Sequence, residues 1–560
     1  MIKKHLLLLS ICIIAIVYIF SFYILPPKGF WICDNGMKFL QMKAILSSNY
    51  KTFALSCPSR ELIHSYKYCS FVHPFSVVKS GLIFGVFSAT FSLLSTIPYA
   101  LFGYYGLYII PLFSTFLMLP ALIGIARFLS KEQLVQSLCL LIVALCTPVW
   151  FYSMTFWEHM PAVCLAMWSL FFILKYLFDT GRKKDIIASA IFCGLAIYFR
   201  DDMYLLGIIF CFLFFFLGRH KWRLVLLWGI IFTVTLLPLW CFQWLKLGSP
   251  LGIHVTSVSP FQKGWEHYFA ERWEVIKRLI LNSHKNQILS VVASLPFLVS
   301  FLLYPLIRIK KFGRGIILFS TLGLVNGLII TIGHLSSESP MAWILYSNGL
   351  FATSPVLLFA FMKNDNKDTP YDKPALFLWS LMFGFIVLYV IIIPLEHSKG
   401  LNWGCRLLMV VIPILGVMSA SAIVQWWKVA SGKIKFAGII LLSSLFFTSI
   451  FLQIYSIHLL RERKIFVSRL NHEIAMRPED IIVTNVFFAS LDLAPQFDNK
   501  IVLLANNPLD RKIPLYSTLK QHGIKRVLLV LFSQENLDIG GMRMDDSLNY
   551  FSFIIKSIEL

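Results

Sequence analysis

The sequence predicts a mainly α-helical, polytopic membrane protein: a bundle of transmembrane helices followed by a small α/β domain. Three observations predict it. Of 560 residues, 58% are hydrophobic, against about 45–50% in soluble chains. The excess falls in blocks of roughly 20 residues with few charges, a length that crosses a hydrocarbon core about 30 Å thick. After residue 455 the long blocks stop, and short apolar runs alternate with helical segments. The expected organisation is a membrane domain over 1–455, with 28–106 as its first extracytoplasmic loop carrying surface helices, and an extracytoplasmic α/β domain over 456–560.

The first block runs from about His5 to Leu25, behind Met1-Ile2-Lys3-Lys4. It is longer than a signal-peptide core and lacks a small-residue cleavage site, which predicts a retained helix. A polar stretch at about 28–80 follows. Spans come next near 107–129, 134–153, 161–178, 186–200, 203–218 and 223–244. A second polar stretch, at about 245–286, precedes spans near 287–307, 315–333, 346–362, 375–394, 406–427 and 436–455. By length this gives about 13 spans. The block at 82–103 holds Pro98 and several Ser and Gly, and is read as lying along the membrane surface. If it crosses, every later orientation inverts.

The loop charges set the direction. With 82–103 left out, Lys and Arg gather on one side, as in Arg182-Lys183-Lys184, Arg308/Lys310-Lys311/Arg314 and Lys428/Lys433/Lys435. The short loops at 154–160 and 334–345, on the other side, carry none. The positive-inside rule then places the N-terminus in the cytoplasm and, with an odd number of spans, the C-terminal domain outside. The location expected is the inner (plasma) membrane, multi-pass. The two long outward stretches break the pattern locally, with Lys38, Lys43, Lys263 and Lys277.

The formal net charge of +22 would suggest nucleic acid in a soluble chain. Here the charge sits between apolar blocks, where it meets anionic lipid, and no nucleic-acid partner is expected. The 11 cysteines include no CxxC pair, so no zinc site is signalled. Cys57 and Cys69 can pair if their loop is extracytoplasmic. In the tail, Ile481–Val486, Ile501–Leu504 and Arg526–Phe532 read as strands, Leu515–His522 as a helix, and Arg461-Glu462-Arg463-Lys464 as the opening of an amphipathic helix. No Gly-rich loop opens a helix there, so nucleotide binding is not expected, and no cofactor is called for.

Polar residues at span ends are costly and therefore candidates for function. Four groups stand out, all expected on the outer side. Asp34, in Trp31-Ile32-Cys33-Asp34-Asn35-Gly36, suits a helix N-cap and equally a general base. Glu158 and His159, in Phe156-Trp157-Glu158-His159-Met160-Pro161, sit where a helix begins; His159 can also contact a phosphate or carry a proton. Arg200, in Arg200-Asp201-Asp202, either closes a self-neutralised turn or binds an anion. Arg406, in Trp403-Gly404-Cys405-Arg406, is either an interfacial anchor or a phosphate ligand, its planar fork suiting paired hydrogen bonds.

This order of features resembles the GT-C superfamily of polyprenyl-phosphate-sugar glycosyltransferases, which includes protein O-mannosyltransferases and aminoarabinose transferases. The likeness covers about 1–455: Asp34 after the first span, Phe71-Val72-His73-Pro74 leading to a surface helix through Leu101-Phe102-Gly103, Trp157-Glu158-His159 in an outward loop, and Trp403 to Arg406 opening a late span. Asn35 stands where many relatives carry a second acid. The resemblance implies a GT-C-like bundle and a polyprenyl-phosphate sugar donor. It further implies a lipid, glycan or protein acceptor whose hydroxyl or amine displaces the lipid phosphate with inversion. Asp34 would be the catalytic base or orienting group, supported by Glu158. Arg406, Arg200 and His159 would bind the donor phosphate. No metal is required, because Arg and His can neutralise the phosphate. A transporter or flippase would instead need midplane charges or an internal repeat. A lipid-linked glycan ligase or polymerase would place basic residues in a large late loop.

Overall fold

The computed structural model describes residues 2–63, 66–71, 75–179, 181–217, 222–253, 265–281, 349–351, 353–361, 372–395, 400–429, 431–510, 512–533, 542–543 and 552–560. The expected spans near 287–307 and 315–333, the loop 334–345 and Val72-His73-Pro74 lie outside them. The chain divides into two compact units. The first is Met1–Tyr23, Ile110–Gln243 and Val258–His458; the second is Ile24–Ile109, Trp244–Ser257 and Leu459–Leu560.

The membrane character of the chain is plain in its helices. Among the described residues, seven are long and apolar enough to span, and two shorter apolar helices, Gln133–Leu145 and Met203–Phe216, accompany them. In chain order the helices are α1 (Ile2–Ile24), α2 (Cys33–Ser47), α3 (Pro58–Ile63), α4 (Ala89–Phe102), α5 (Ile109–Leu129), α6 (Gln133–Leu145), α7 (Val149–Ser153), α8 (His159–Phe178), α9 (Lys183–Ile197), α10 (Met203–Leu217), α11 (Trp222–Leu247), α12 (Trp265–Ile276), α13 (Asp372–Ile392), α14 (Val411–Val429) and α15 (Gly432–Ala475).

In the first unit, polar side chains tie apolar helices together. Tyr18 of α1 donates to the Ala144 carbonyl at 2.9 Å, and the Trp150 indole donates to Ser21 Oγ at 3.0 Å. Ser169 of α8 donates to the Ser189 carbonyl of α9 at 2.7 Å. Gly124 of α5 leaves room for the Phe171 ring, which a Cβ would meet at 2.3 Å. The outer faces stay apolar and exposed, as at Ile16, Ile19 and Phe20 of α1 and Leu226, Ile230 and Val234 of α11. Lipid can cover such faces at no cost.

Three expected spans are not simple helices. The block 134–153 breaks into α6 and α7 at Thr147-Pro148, where proline has no N–H for the helix ladder. The described part of 346–362 includes a 3-10 segment, Pro355–Phe361, buried from Val356 onward. Serines satisfy its backbone: Val356 N–H donates to Ser449 Oγ at 3.0 Å, and Ser419 donates to the Leu357 carbonyl at 3.0 Å. The block 406–427 opens with a 3-10 turn, Arg406–Leu408, before α14 begins at Val411.

In the second unit, β1 (Ser76–Lys79) and β2 (Leu82–Gly85) form a hairpin through Ser80-Gly81, both at positive φ, the backbone a tight primed turn requires. It is followed by α4, whose 14 residues reach about 21 Å, less than the hydrocarbon core. The corner from α4 toward α5 is sharp: a Cβ on Gly106 would lie 1.9 Å from the Pro98 carbonyl oxygen.

The tail is an α/β sheet with strands β3 (Ile481–Thr484), β4 (Ile501–Leu504), β5 (Arg526–Ser533), β6 (Met542–Arg543) and β7 (Ser552–Glu559), in the order β4-β3-β5-β7-β6. β4, β3 and β5 are parallel; β7 runs antiparallel to β5 and β6. One face packs on α17 (Pro514–Gln521) through Leu515 and Leu519. The other packs on the end of α15 through Phe466, Val467, Leu470 and Ile474, next to α16 (Phe487–Asp492). The three parallel strands and α17 match the sequence expectation; the antiparallel pair β6 and β7 was not foreseen. The polar run at Arg461 does not open a new helix. It continues α15, 44 residues long or about 66 Å, twice what a bilayer core needs.

The Ile24–Ile109 segment helps complete this sheet. Cys69 bridges to Leu503, Leu504 N–H donates to the Tyr68 carbonyl at 3.0 Å, and Ser70 donates to the Val502 carbonyl at 2.5 Å. The otherwise open β4 edge is thereby partly covered. Cys57 and Cys69 form a disulfide, with Cα atoms 5.9 Å apart.

Candidate active site

Four of the five candidate side chains belong to the first unit, and they converge there. The Met154–Trp157 loop between α7 and α8 ends at Glu158, whose carbonyl accepts from Ala162 N–H at 3.3 Å, and His159 opens α8. Arg200 closes the last turn of α9, donating its N–H to the Ala196 carbonyl, while its own carbonyl accepts from Met203 N–H as α10 begins. Arg200, Asp201 and Asp202 thus occupy the corner between two apolar helices.

Arg200 is the hub. Its Nε reaches both Asp202 oxygens at 3.0 and 3.1 Å, and its Nη2 reaches Asp202 Oδ2 at 2.6 Å. Its Nη1 lies 2.7 Å from His159 Nε2 and 3.7 Å from Glu158 Oε1. Tyr389 of α13 donates to Asp202 Oδ2 at 3.3 Å. A guanidinium only donates, so His159 Nε2 accepts and the neutral ring carries its proton on Nδ1. Asp202 and Tyr389 were absent from the candidate set. Asp202 was legible as the neutralising partner in the turn, whereas Tyr389 sits inside an apolar span with no signal around it.

Aromatic rings wall the cluster. Tyr152 stacks on His159 at 5.1 Å between centroids, and Trp157 meets the imidazole edge-on at 4.8 Å. The Arg406 guanidinium lies over the Trp157 ring at 5.1 Å, a cation–π placement. The Trp403-Gly404-Cys405 turn fixes Arg406. Trp403 is fully buried and donates to Gln453 Oε1 at 3.1 Å, and Gln453 donates in turn to the Thr353 carbonyl at 2.6 Å. Gly404 has φ +62°, and a Cβ there would meet Thr353 Oγ1 at 2.5 Å and Pro148 Cγ at 2.6 Å. Burial pushes the Cys405 thiol up to about 12, so it stays protonated beside Arg406.

Asp34 lies in the second unit, in the first turn of α2 and 7% exposed. Asn35 caps that helix: Ile32 N–H donates to Asn35 Oδ1 at 3.3 Å, and Asn35 N–H donates to the Ile32 carbonyl at 3.0 Å. The Cys33 thiol lies 3.8 Å from Asp34 Oδ1. Lys38, one turn on, is buried with its ammonium 3.5 Å from the Phe87 ring centre. In the sequence Lys38 stands out only as a loop charge, although its i,i+4 spacing puts it on the Asp34 face of the helix.

No family model and no curated protein matches the sequence. Among solved structures, the chain is similar to ArnT from Cupriavidus metallidurans bound to undecaprenyl phosphate, at 12% identity and TM-score 0.52, over 98% of this chain and 97% of that one. The apo state of the same protein aligns at 11% identity and TM-score 0.50, over 99% and 98%. The likeness extends from end to end and shows the fold: the multi-pass helical architecture of those structures with an appended α/β sheet.

Proposed function

We propose that this chain is a membrane glycosyltransferase. It moves a sugar from a polyprenyl-phosphate donor to an acceptor on the extracytoplasmic side, with inversion. The observation that carries the reading is the cluster of Arg406, His159, Arg200 and Glu158 among aromatic rings at the ends of apolar helices. A lipid phosphate lies at that depth in a bilayer, where cations at span ends can meet it. The matched ArnT structure holds undecaprenyl phosphate, which supports the same donor class here.

In this reading Arg406 and the Nδ1–H of His159 bind the donor phosphate. Positive charge there stabilises the leaving group as the glycosidic C–O bond breaks. Arg200 turns Nε and Nη2 to Asp202 and Nη1 to His159, and in this reading it holds the imidazole and its tautomer beside the phosphate. Asp34 takes the proton from the acceptor hydroxyl or amine as its lone pair attacks the anomeric carbon, and Glu158 supports the cationic cluster. The Cys57–Cys69 disulfide supports an oxidising, extracytoplasmic setting for the second unit. A flippase reading has less support, since these charges sit at helix ends rather than midplane.

The test is direct. Purified protein is incubated with radiolabelled polyprenyl-phosphate sugars and candidate lipid, glycan and peptide acceptors. Transfer by the wild type and its loss in Asp34→Ala and Arg406→Ala are expected. Normal transfer by Asp34→Ala would remove Asp34 from the mechanism.

A further inference from the structure

The C-terminal α/β sheet supplies none of the groups assigned to sugar transfer. We propose that the tail positions Asp34: Arg463, Lys464 and Leu491 clamp the backbone on both sides of that carboxylate, and Asp492 holds Arg463. The inference rests on the reading of Asp34 as the group that acts on the acceptor.

The contacts bracket Asp34 closely. Gly29 has φ +92°, and a Cβ there would lie 2.4 Å from the Lys464 carbonyl oxygen. Trp31 presents its carbonyl to Arg463 Nε at 3.4 Å. Gly36 rests on the backbone of α16, where a Cβ would lie 2.1 Å from the Leu491 carbonyl oxygen and 2.9 Å from its carbon. At the far end of α2, Lys43 pairs with Asp498 at 2.9 Å. The tail therefore touches the chain at residues 29, 31 and 36, and Asp34 lies within that interval.

Arg463 and Asp492 make the clamp rigid. Arg463 Nη2 meets Asp492 Oδ2 at 2.5 Å, with the two side chains 5% and 2% exposed. Burial pushes the Asp492 carboxyl above its ordinary value, and Arg463 draws it part of the way back. A buried pair of this kind is weak evidence for stability, and its best-attested use is to fix one register. The register it fixes here is that of residues 31–36 against α16. Asn471 adds a second tie, donating to the Asp492 carbonyl at 2.9 Å from α15. These tail groups meet the backbone on either side of Asp34, at residues 29, 31 and 36, and so act as positioning residues. Misplacement of a reacting group by about 1 Å can cost on the order of a hundredfold in rate.

The experiment measures kcat and donor KM in the full-length protein, with melting temperature as a control. The variants are Arg463→Lys, Asp492→Asn, Gly36→Ala, Asp34→Asn, Asp34→Glu and the double Asp34→Glu/Arg463→Lys. Arg463→Lys keeps the charge facing Asp492 and drops the fork to Trp31, so it is the variant expected to fold. Its kcat should fall roughly tenfold with donor KM within about twofold, the pattern of a lost transition-state contribution. In the double variant the Arg463→Lys effect should shrink below about twofold, because both changes act through one carboxylate. Arg526→Gln, at an exposed pair on the same sheet, should leave kcat unchanged. Wild-type kcat in Arg463→Lys, or a full multiplicative loss in the double variant, overturns the positioning role. Wild-type kcat in Asp34→Asn instead sinks the reading of Asp34 itself.

Discussion

At Arg200 a single guanidinium holds three neighbours, and each can be tested. Arg200→Met would leave Asp202 and Glu158 with an uncompensated buried charge, a change that costs about 3–5 kcal/mol. The double variant Arg200→Met/Asp202→Met should recover much of that loss in a detergent melting curve. Recovery of none of it would mean the pair is not the source of the penalty. The Nδ1–H tautomer of His159 gives a second test. The amide nitrogen of Asn overlies imidazole Nδ1, whereas that of Gln overlies Nε2. His159→Asn should therefore keep more affinity for the donor than His159→Gln, by roughly tenfold in KM, about one hydrogen bond to a charged group. The reverse order would place the working proton on Nε2. Glu158, His159, Arg200 and Arg406 were legible because charges at the ends of apolar blocks stand out. Tyr389 was not, because a lone hydroxyl in a 21-residue apolar helix leaves no mark on hydropathy.

Element boundaries were less legible than the elements themselves. Hydropathy reports where lipid ends, and at Arg461 it changes while the helix does not. The better signal was the absence of any Gly or Pro from Ser456 to Ala475, since nothing in that run stops a helix. Amide exchange should accordingly be slow and unbroken across 456–475. A fast-exchanging break at 455–458 would restore two separate helices. The Trp-Gly-x-Arg turn has the opposite character, short and strained unless residue 404 is glycine. Gly404→Ala should cost about 1–3 kcal/mol from the left-handed backbone; its Cβ clash with Thr353 and Pro148 should also shift Arg406. The readout is a lower melting temperature together with a raised donor KM. The Cys57–Cys69 bridge closes a separation of 12 residues, worth about 3 kcal/mol in chain entropy. Both thiols should resist alkylation until the protein is reduced.

For the molecule as a whole, composition announced the membrane and motif order announced the fold. What no local pattern announced is that the second unit is assembled from Ile24–Ile109 and Leu459–Leu560, with only Trp244–Ser257 between. Ser70 and Val502 are 432 residues apart in sequence, and contacts at such distances follow from neither periodicity nor propensity. Gly29 and Gly36 are the nearest thing to a trace, since each is small where another backbone passes. A chain truncated after Ala475 should keep its apolar helices but become protease-sensitive across residues 28–87. Unchanged proteolysis there would mean that this segment holds its fold without the sheet.

This construction has a consequence for synthesis. Ile109 and Leu459 are 350 positions apart, 459 minus 109. At roughly 5–20 residues per second the ribosome needs about 20–70 s to bridge them. During that interval α2 has no α16 to rest on, and residues 68–70 have no strand to border. The disulfide partners, only 12 residues apart, can meet long before the tail exists. The bond then preshapes the strip that later receives the edge of the sheet. The expected order is oxidation first and docking last, so a cell that delays the first step should accumulate chains whose tail folds with nowhere to land.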